Sequence, residues 1–189
     1  MPLVRRPGHV PRALPFWLSL GLVPLVLWAA FRGGWALTLP ALGSWGLFSL
    51  LDRLLGKDGQ TPDPDAGGLW AHTAILYIWP PVQIVTLFGL IAWQDALPLS
   101  LGEKLALFFG VGILTGTIGI TYAHELIHRS ARLPRRLGDI LLASVLYSHF
   151  RTEHLLIRHV YVATPKDPAT ARYGEGFWRY FARVLPESF

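Results

Sequence analysis

Residues 105–123 read LALFFGVGILTGTIGITYA and run directly into His124-Glu125-Leu126-Ile127-His128. An uncharged run of that length is enough to cross the hydrocarbon core of a bilayer as an α-helix. Gly110, Gly112, Gly116 and Gly119 within it let a neighbouring helix approach closely. Residues four apart on a helix share one face, so the imidazoles of His124 and His128 can reach a single metal ion. Ionisable groups that end a membrane helix mark function. The plainer alternative is a pair of interfacial histidines satisfied by water and lipid headgroups.

Outward from this stretch the chain remains apolar. Leu14–Phe31 predicts a first span, and Gly33–Leu51 a second, separated from it only by Arg32 and the Gly33-Gly34 pair, as in a tight helical hairpin. Ala66–Gln94 predicts a third, with a kink at Pro80 and Pro81, where two amide donors are missing. Residues 105–123 make the fourth. Ile140–Phe150 is too short to cross, and predicts an interfacial or re-entrant helix continuing as a polar helix toward His159. The Asp52–Asp65 stretch, with Gly56, Gly59, Pro62 and Pro64, reads as a loop between hairpins. The first apolar run lacks a small-residue cleavage pattern and a second span follows at once, so it is not read as a removable signal peptide.

Composition agrees with this. Of the 189 residues 52% are hydrophobic and 15% charged, with a mean hydropathy of +0.39, where a soluble domain carries about 25% charged residues. Disordered chains, coiled coils and conventional nucleic-acid binders are thereby excluded. Without cysteine there can be no disulfide, thiolate nucleophile, or cysteine-built zinc or iron–sulfur site. With the basic tail (Arg5, Arg6, Arg12) on the cytoplasmic side and four spans, only Arg32 and Lys104 of the 17 Lys and Arg fall outside. The positive charge therefore follows topology rather than forming a nucleic-acid-binding face. This arrangement also places His124, His128, His154 and His159 on one side of the membrane. The expected fold is all-α and integral to the membrane: a transmembrane bundle of about four spans, a short interfacial or re-entrant helix and a cytoplasmic C-terminal segment.

A second cluster, Glu153-His154 with Arg158-His159, is weaker by spacing alone. Five residues put the two imidazoles roughly 140° apart on a regular α-helix, and surface histidines on a basic amphipathic segment give the same pattern. His149 reads as a buried, hydrogen-bonded group or a donor behind the ligands, His72 as interfacial, and His9 as solvated in the basic tail. Neutral imidazoles without thiolates suit iron, zinc, copper or nickel. A zinc protease would use Glu125 as general base between its two ligands. A histidine-rich iron site would keep Glu125 behind the ligands and add further histidines. The first pentapeptide does not separate these.

Three longer stretches do. Tyr122-Ala-His-Glu-Leu-Ile-His-Arg129, Ser148-His-Phe-Arg-Thr-Glu-His154 and Val162-Ala-Thr-Pro-Lys-Asp-Pro-Ala-Thr-Ala-Arg-Tyr-Gly-Glu-Gly-Phe177 resemble the bacterial alkane 1-monooxygenases, part of the membrane fatty-acid-desaturase-like group of histidine-box enzymes. Asp52-Arg-Leu-Leu-Gly-Lys-Asp58 resembles them too. Residues 1–189 then read as a single membrane domain, the N-terminal part of such a fold. The resemblance implies a non-haem di-iron centre at the cytoplasmic face of a bacterial inner (plasma) membrane. It implies hydroxylation of the terminal methyl of a medium or long alkane with dioxygen. Rubredoxin or a ferredoxin, with its reductase, would supply electrons, and the bilayer would deliver the hydrocarbon. Position by position, His124 and His128 match the first box, and His154 and His159 match outer positions of the second, giving four metal-ligand candidates.

Two departures are visible. The family's second box normally carries adjacent histidines where this chain has Arg158 before His159, and a guanidinium offers a metal no lone pair. The family's remaining histidine boxes would lie beyond Phe189, so the expectation is that this chain alone holds an incomplete di-iron centre. The competing expectations are an acyl-lipid desaturase or hydroxylase of the same group, an inactive truncated membrane fragment with a vestigial site, and an intramembrane zinc protease using His124, Glu125 and His128.

Overall fold

The computed structural model describes residues 10–55 and 69–187, and among these every regular element is helical. His9, Arg5 and Arg6 of the tail and most of the predicted Asp52–Asp65 loop lie outside the described residues. The chain forms two compact units, 1–141 and 142–189.

The first unit opens with α1 (Val10–Leu18), a 3₁₀ turn (Ser19–Gly21) and α2 (Leu22–Arg32). Gly33 (φ 64°) and Gly34 (φ 57°) then reverse the chain in the left-handed region that glycine tolerates. A 3₁₀ segment (Gly34–Thr38), α3 (Leu39–Ala41), a π-helical stretch (Leu42–Leu47) and α4 (Phe48–Leu55) follow. This is the predicted hairpin, with its second arm built from short helical pieces. α5 (Trp70–Trp93) runs unbroken past Pro80 and Pro81. The carbonyls of Leu76 and Tyr77 lose their in-helix amide donors there. One turn on, the buried indole Nε1 of Trp79 donates to Gln83 Oε1 at 2.8 Å.

α6 (Leu101–Leu114), a π segment (Thr115–Gly119) and α7 (Ile120–Ile127) form one continuous helical stretch. It starts at a capping box: Ser100 Oγ accepts from the Glu103 amide while Glu103 Oε2 accepts from the Ser100 amide at 2.9 Å. The other oxygen, Oε1, accepts from the Gly34 amide at 2.8 Å, so one carboxylate both caps α6 and fixes the hairpin turn.

α5 packs against α1 and α7, and α6 against α2 and α3, around Val26, Ala29, Ala30, Ile75, Trp79, Ala123 and Leu126. Of the four glycines expected to admit a neighbour, two do so. A Cβ on Gly110 would lie 3.2 Å from Pro40, and one on Gly119 would collide with the Gln83 carboxamide. Gly112 and Gly116 face open space.

Among the described residues, two helices are long and apolar enough to cross a membrane: Trp70–Trp93 (24 residues) and Leu101–Ile127 (27 residues). The first apolar run gives a shorter helix, Phe16–Arg32. These two coincide with the third and fourth of the expected spans, and the second expected run is built from short helical pieces.

α8 (Arg132–Ser144) holds the boundary between the units. The helix expected over Ile140–Phe150 does not form as one piece, because α8 closes in a Schellman motif. Tyr147 N–H donates to Leu142 O (2.9 Å) and Leu146 N–H to Ala143 O (3.1 Å), with Leu146 at φ 58° where glycine is usual. In the second unit come α9 (Phe150–Thr152), a π segment (Glu153–Arg158), α10 (His159–Tyr161), an ordered loop and α11 (Phe177–Glu187).

Candidate metal centre

His124 sits in the last turn of α7 and His128 at its C-cap. Their Nε2 atoms are 3.3 Å apart, with the rings nearly edge to face. The inner side of the helix, Ala123, Leu126 and Ile127, is buried, which turns the imidazole face outward. Glu125 Oε1 lies 3.9 Å from His124 Nδ1. The carboxylate thus stands on the far side of the ring from Nε2, where a group behind a metal ligand belongs.

The second unit resolves the difficulty of the five-residue spacing. Glu153–Arg158 is a π-helix, and the His159 amide donates to the His154 carbonyl, an i→i+5 bond. That longer repeat stacks residues five apart as an α-helix stacks residues four apart, and such π turns recur at functional sites. His154 Nε2 and His159 Nε2 are 3.0 Å apart. The ring of His154 stacks on Phe150 (4.9 Å, 18°), which stacks in turn on Tyr147 (5.1 Å). His149 meets Tyr147 edge to face at 4.7 Å, and His72 packs edge to face on Phe16. Glu153 and His154 are buried whereas Arg158 is exposed. Burial pushes the Glu153 carboxyl above its ordinary range, partly countered by the charges of Arg158 and His149.

Both pairs meet a simple test of fit. Two imidazole nitrogens at about 2.05 Å from one ion must lie roughly 2.9 to 3.4 Å apart for octahedral or tetrahedral angles. The separations of 3.3 Å and 3.0 Å fall inside that window.

The loop after the second pair is held by its own side chains. Asp167 is buried; its Oδ1 accepts from the Ala169 amide (3.0 Å) and its Oδ2 from the Thr170 hydroxyl (2.6 Å). Arg183 of α11 donates to both Glu175 oxygens (2.9 and 2.8 Å), to the carbonyls of Pro168 and Thr170, and to Glu187. These bonds push the Glu175 carboxyl down to about 2, those from Arg183 first and the Arg172 amide second.

A feature not legible from the motifs lies beside α7. A cavity of about 300 Å³ is lined by Phe16, Ser19, Ser44, Thr117, Ile118, Thr121 and Tyr122. All five hydroxyls donate to backbone carbonyls: Ser19 and Tyr122 to Phe16, Ser44 to Pro40, Thr117 to Ile113, Thr121 to Thr117. Thr121, His124 and His128 lie on one helical stripe. The only trace in the sequence is the four-residue Thr117–Thr121 spacing.

Residues 98–189 match the fatty acid desaturase family model. The chain is 31% identical to alkane 1-monooxygenase 1 of Pseudomonas aeruginosa over 92% of its own length and 48% of that protein's. Alkane 1-monooxygenase 1 of Alcanivorax borkumensis is 31% identical over 96% of this chain and 47% of its own length. Alkane 1-monooxygenase of Ectopseudomonas oleovorans is also 31% identical, over 97% of this chain and 48% of its own length. Over residues 98–189 the chain is similar to the fatty acid desaturases, and its described fold is all-helical with two helices apolar enough to cross a membrane. Within that likeness the chain is similar to the alkane 1-monooxygenases, spanning about half the length of the curated relatives it matches.

Proposed function

We propose that this chain carries the first two histidine boxes and the hydrocarbon pocket of an alkane 1-monooxygenase-type hydroxylase. His124 and His128 are one pair of candidate iron ligands and His154 and His159 a second. Bound iron supplies the redox chemistry that activates dioxygen. The chain's own residues orient the imidazoles: Phe150 holds the ring plane of His154, and Glu125 stands on the Nδ1 side of His124.

The observation that carries the reading is the pocket beside α7. A saturated hydrocarbon makes no hydrogen bonds, so a pocket for it must have its polar atoms satisfied beforehand. Five hydroxyls turned into backbone carbonyls meet that condition. The volume, about 300 Å³, is at the small end for ligand sites and suits a slender chain. Its wall continues along the helical stripe that bears the first histidine pair. A terminal methyl reaching along that stripe meets the ligand nitrogens first, which favours terminal oxidation of a medium or long alkane.

The substrates are thus the alkane and dioxygen. Electrons come from rubredoxin or a ferredoxin with its reductase, docking on a basic cytoplasmic face of the bacterial inner membrane. Four imidazoles suffice for one metal ion and fall short of a full set for two, so fewer than two tightly held irons per chain are expected. The test has two parts. Purified chain is loaded with ferrous iron and quantified after a chelator wash, alongside His124→Ala and His159→Ala. Cells carrying the protein with its redox partners are then fed octane, hexadecane and a fatty acid. Histidine-dependent iron and a primary alcohol from an alkane support the reading. Unsaturated fatty acid as the sole product would assign the chain to acyl desaturation, and zinc with proteolysis abolished by Glu125→Gln would assign it to a protease.

A further inference from the structure

α11 has two faces of different fate. Tyr180, Arg183 and Glu187 recur along one side and fasten it to the loop before it: the Tyr180 hydroxyl donates to Ala169 O, and Arg183 makes the clamp described above. The opposite side carries Phe177, Trp178, Phe181 and Leu185, which are 65, 78, 48 and 52% exposed. Four large apolar side chains on one helical stripe, two of them half-stacked on one another (Phe177 and Phe181, 6.0 Å), form a continuous patch left exposed among the described residues.

We propose that this face of α11 lies in the plane of the membrane, seated on the phospholipid headgroup boundary of an anionic bilayer leaflet. Charge favours that occupant. Residues 142–189 hold six Lys and Arg against four Asp and Glu. Arg183 is consumed by Glu175, while Lys166, Arg172 and Arg179 are exposed. An amphipathic helix with Trp, Phe and Leu on one side and cations on its polar side is the pattern that binds at an interface, the rings entering the acyl boundary and the cations meeting phosphates. Trp178 suits that depth because its indole is apolar in body and polar at its N–H. The patch also lies in a protein with two helices able to cross a membrane, so a bilayer is at hand. This inference is independent of the iron and alkane reading.

The absence of native cysteine makes the test direct. Full chain is reconstituted in phosphatidylcholine–phosphatidylglycerol vesicles with a nitroxide at Trp178→Cys or Phe181→Cys, and at Lys166→Cys or Arg172→Cys as loop references. Collisions with dissolved oxygen and with a water-soluble nickel complex are compared. The expected oxygen-to-nickel ratio is at least about threefold higher at the two helix positions. Ratios equal to the loop references would put the face in water and overturn the proposal. Immobilised spectra with low access to both probes would overturn it too, by placing a second copy or further polypeptide on the patch. The conservative variant Trp178→Phe gives an independent arm. The emission it removes is expected to be quenched by phospholipids brominated near the headgroup, and quenching by aqueous iodide instead overturns the proposal.

Discussion

Arg158 and Leu146 are each a residue standing where chemistry would favour another. Arg158 closes the π segment as an exposed guanidinium immediately before His159. Replacing it with histidine adds a lone-pair donor next to an existing one. Arg158→His is expected to tighten iron retention by about tenfold or more, read as iron remaining after a graded chelator challenge. Unchanged retention would mean that position 158 faces away from the metal. Leu146 holds φ 58° at the C′ position of α8 and is 89% exposed, so its side chain gains little from packing. A left-handed conformation costs an L-residue about 1 kcal/mol, only partly offset by glycine's greater freedom when unfolded. Leu146→Gly should therefore stabilise the protein by roughly 0.5 kcal/mol, measured as a higher midpoint of unfolding in mixed detergent. The first histidine pair was legible at this scale because four residues is one α-helical turn. The pocket hydroxyls were not, since Ser and Thr in a membrane helix read equally as packing groups until their acceptors are known.

Among the elements, the π segment at 153–158 explains why the second histidine pair looked weak. A five-residue spacing was judged against the α-helical repeat, and local pattern does not announce a change of helix type. The end of α8 is hidden for a related reason: Leu146 is a poor signal for a left-handed cap, so the apolar run reads as continuing. The loop between α10 and α11, by contrast, was picked out by its resemblance. Its geometry gives the physical basis, because Asp167, Thr170, Glu175 and Arg183 form interlocking bonds that few substitutions could preserve. The Glu175 carboxyl titrates at about 2 in the folded protein against an ordinary 4.5 when released. A depressed folded value means that the clamp's contribution is complete above the ordinary range and is lost as pH falls from there through about 2. Cleavage of the loop by pepsin should therefore rise steeply in wild type as the solution is acidified across that window. In Glu175→Gln it should already be fast at the upper end and nearly flat. Parallel profiles would show that the clamp does not govern loop order.

For the whole molecule, hydropathy locates the apolar runs, and two of them are long helices among the described residues. The π stretch 42–47 and the 3₁₀ turn 19–21 change the helix type within runs whose composition alone looks uniform. The metal proposal depends on a property that neither unit settles by itself: both histidine pairs must reach the same aqueous boundary. Arg129 and Ser130 follow the first pair directly, and Tyr173 lies in the exposed loop after the second. Single cysteines at Ser130 and at Tyr173 in sealed inner-membrane vesicles of both orientations can be challenged with a membrane-impermeant maleimide. The positive-inside bias predicts that both react from the cytoplasmic side only. Labelling from opposite sides would separate the two imidazole pairs by a bilayer some 30 Å thick, a distance no shared ion can bridge. The four-histidine centre would then fail, even if each pair separately bound metal.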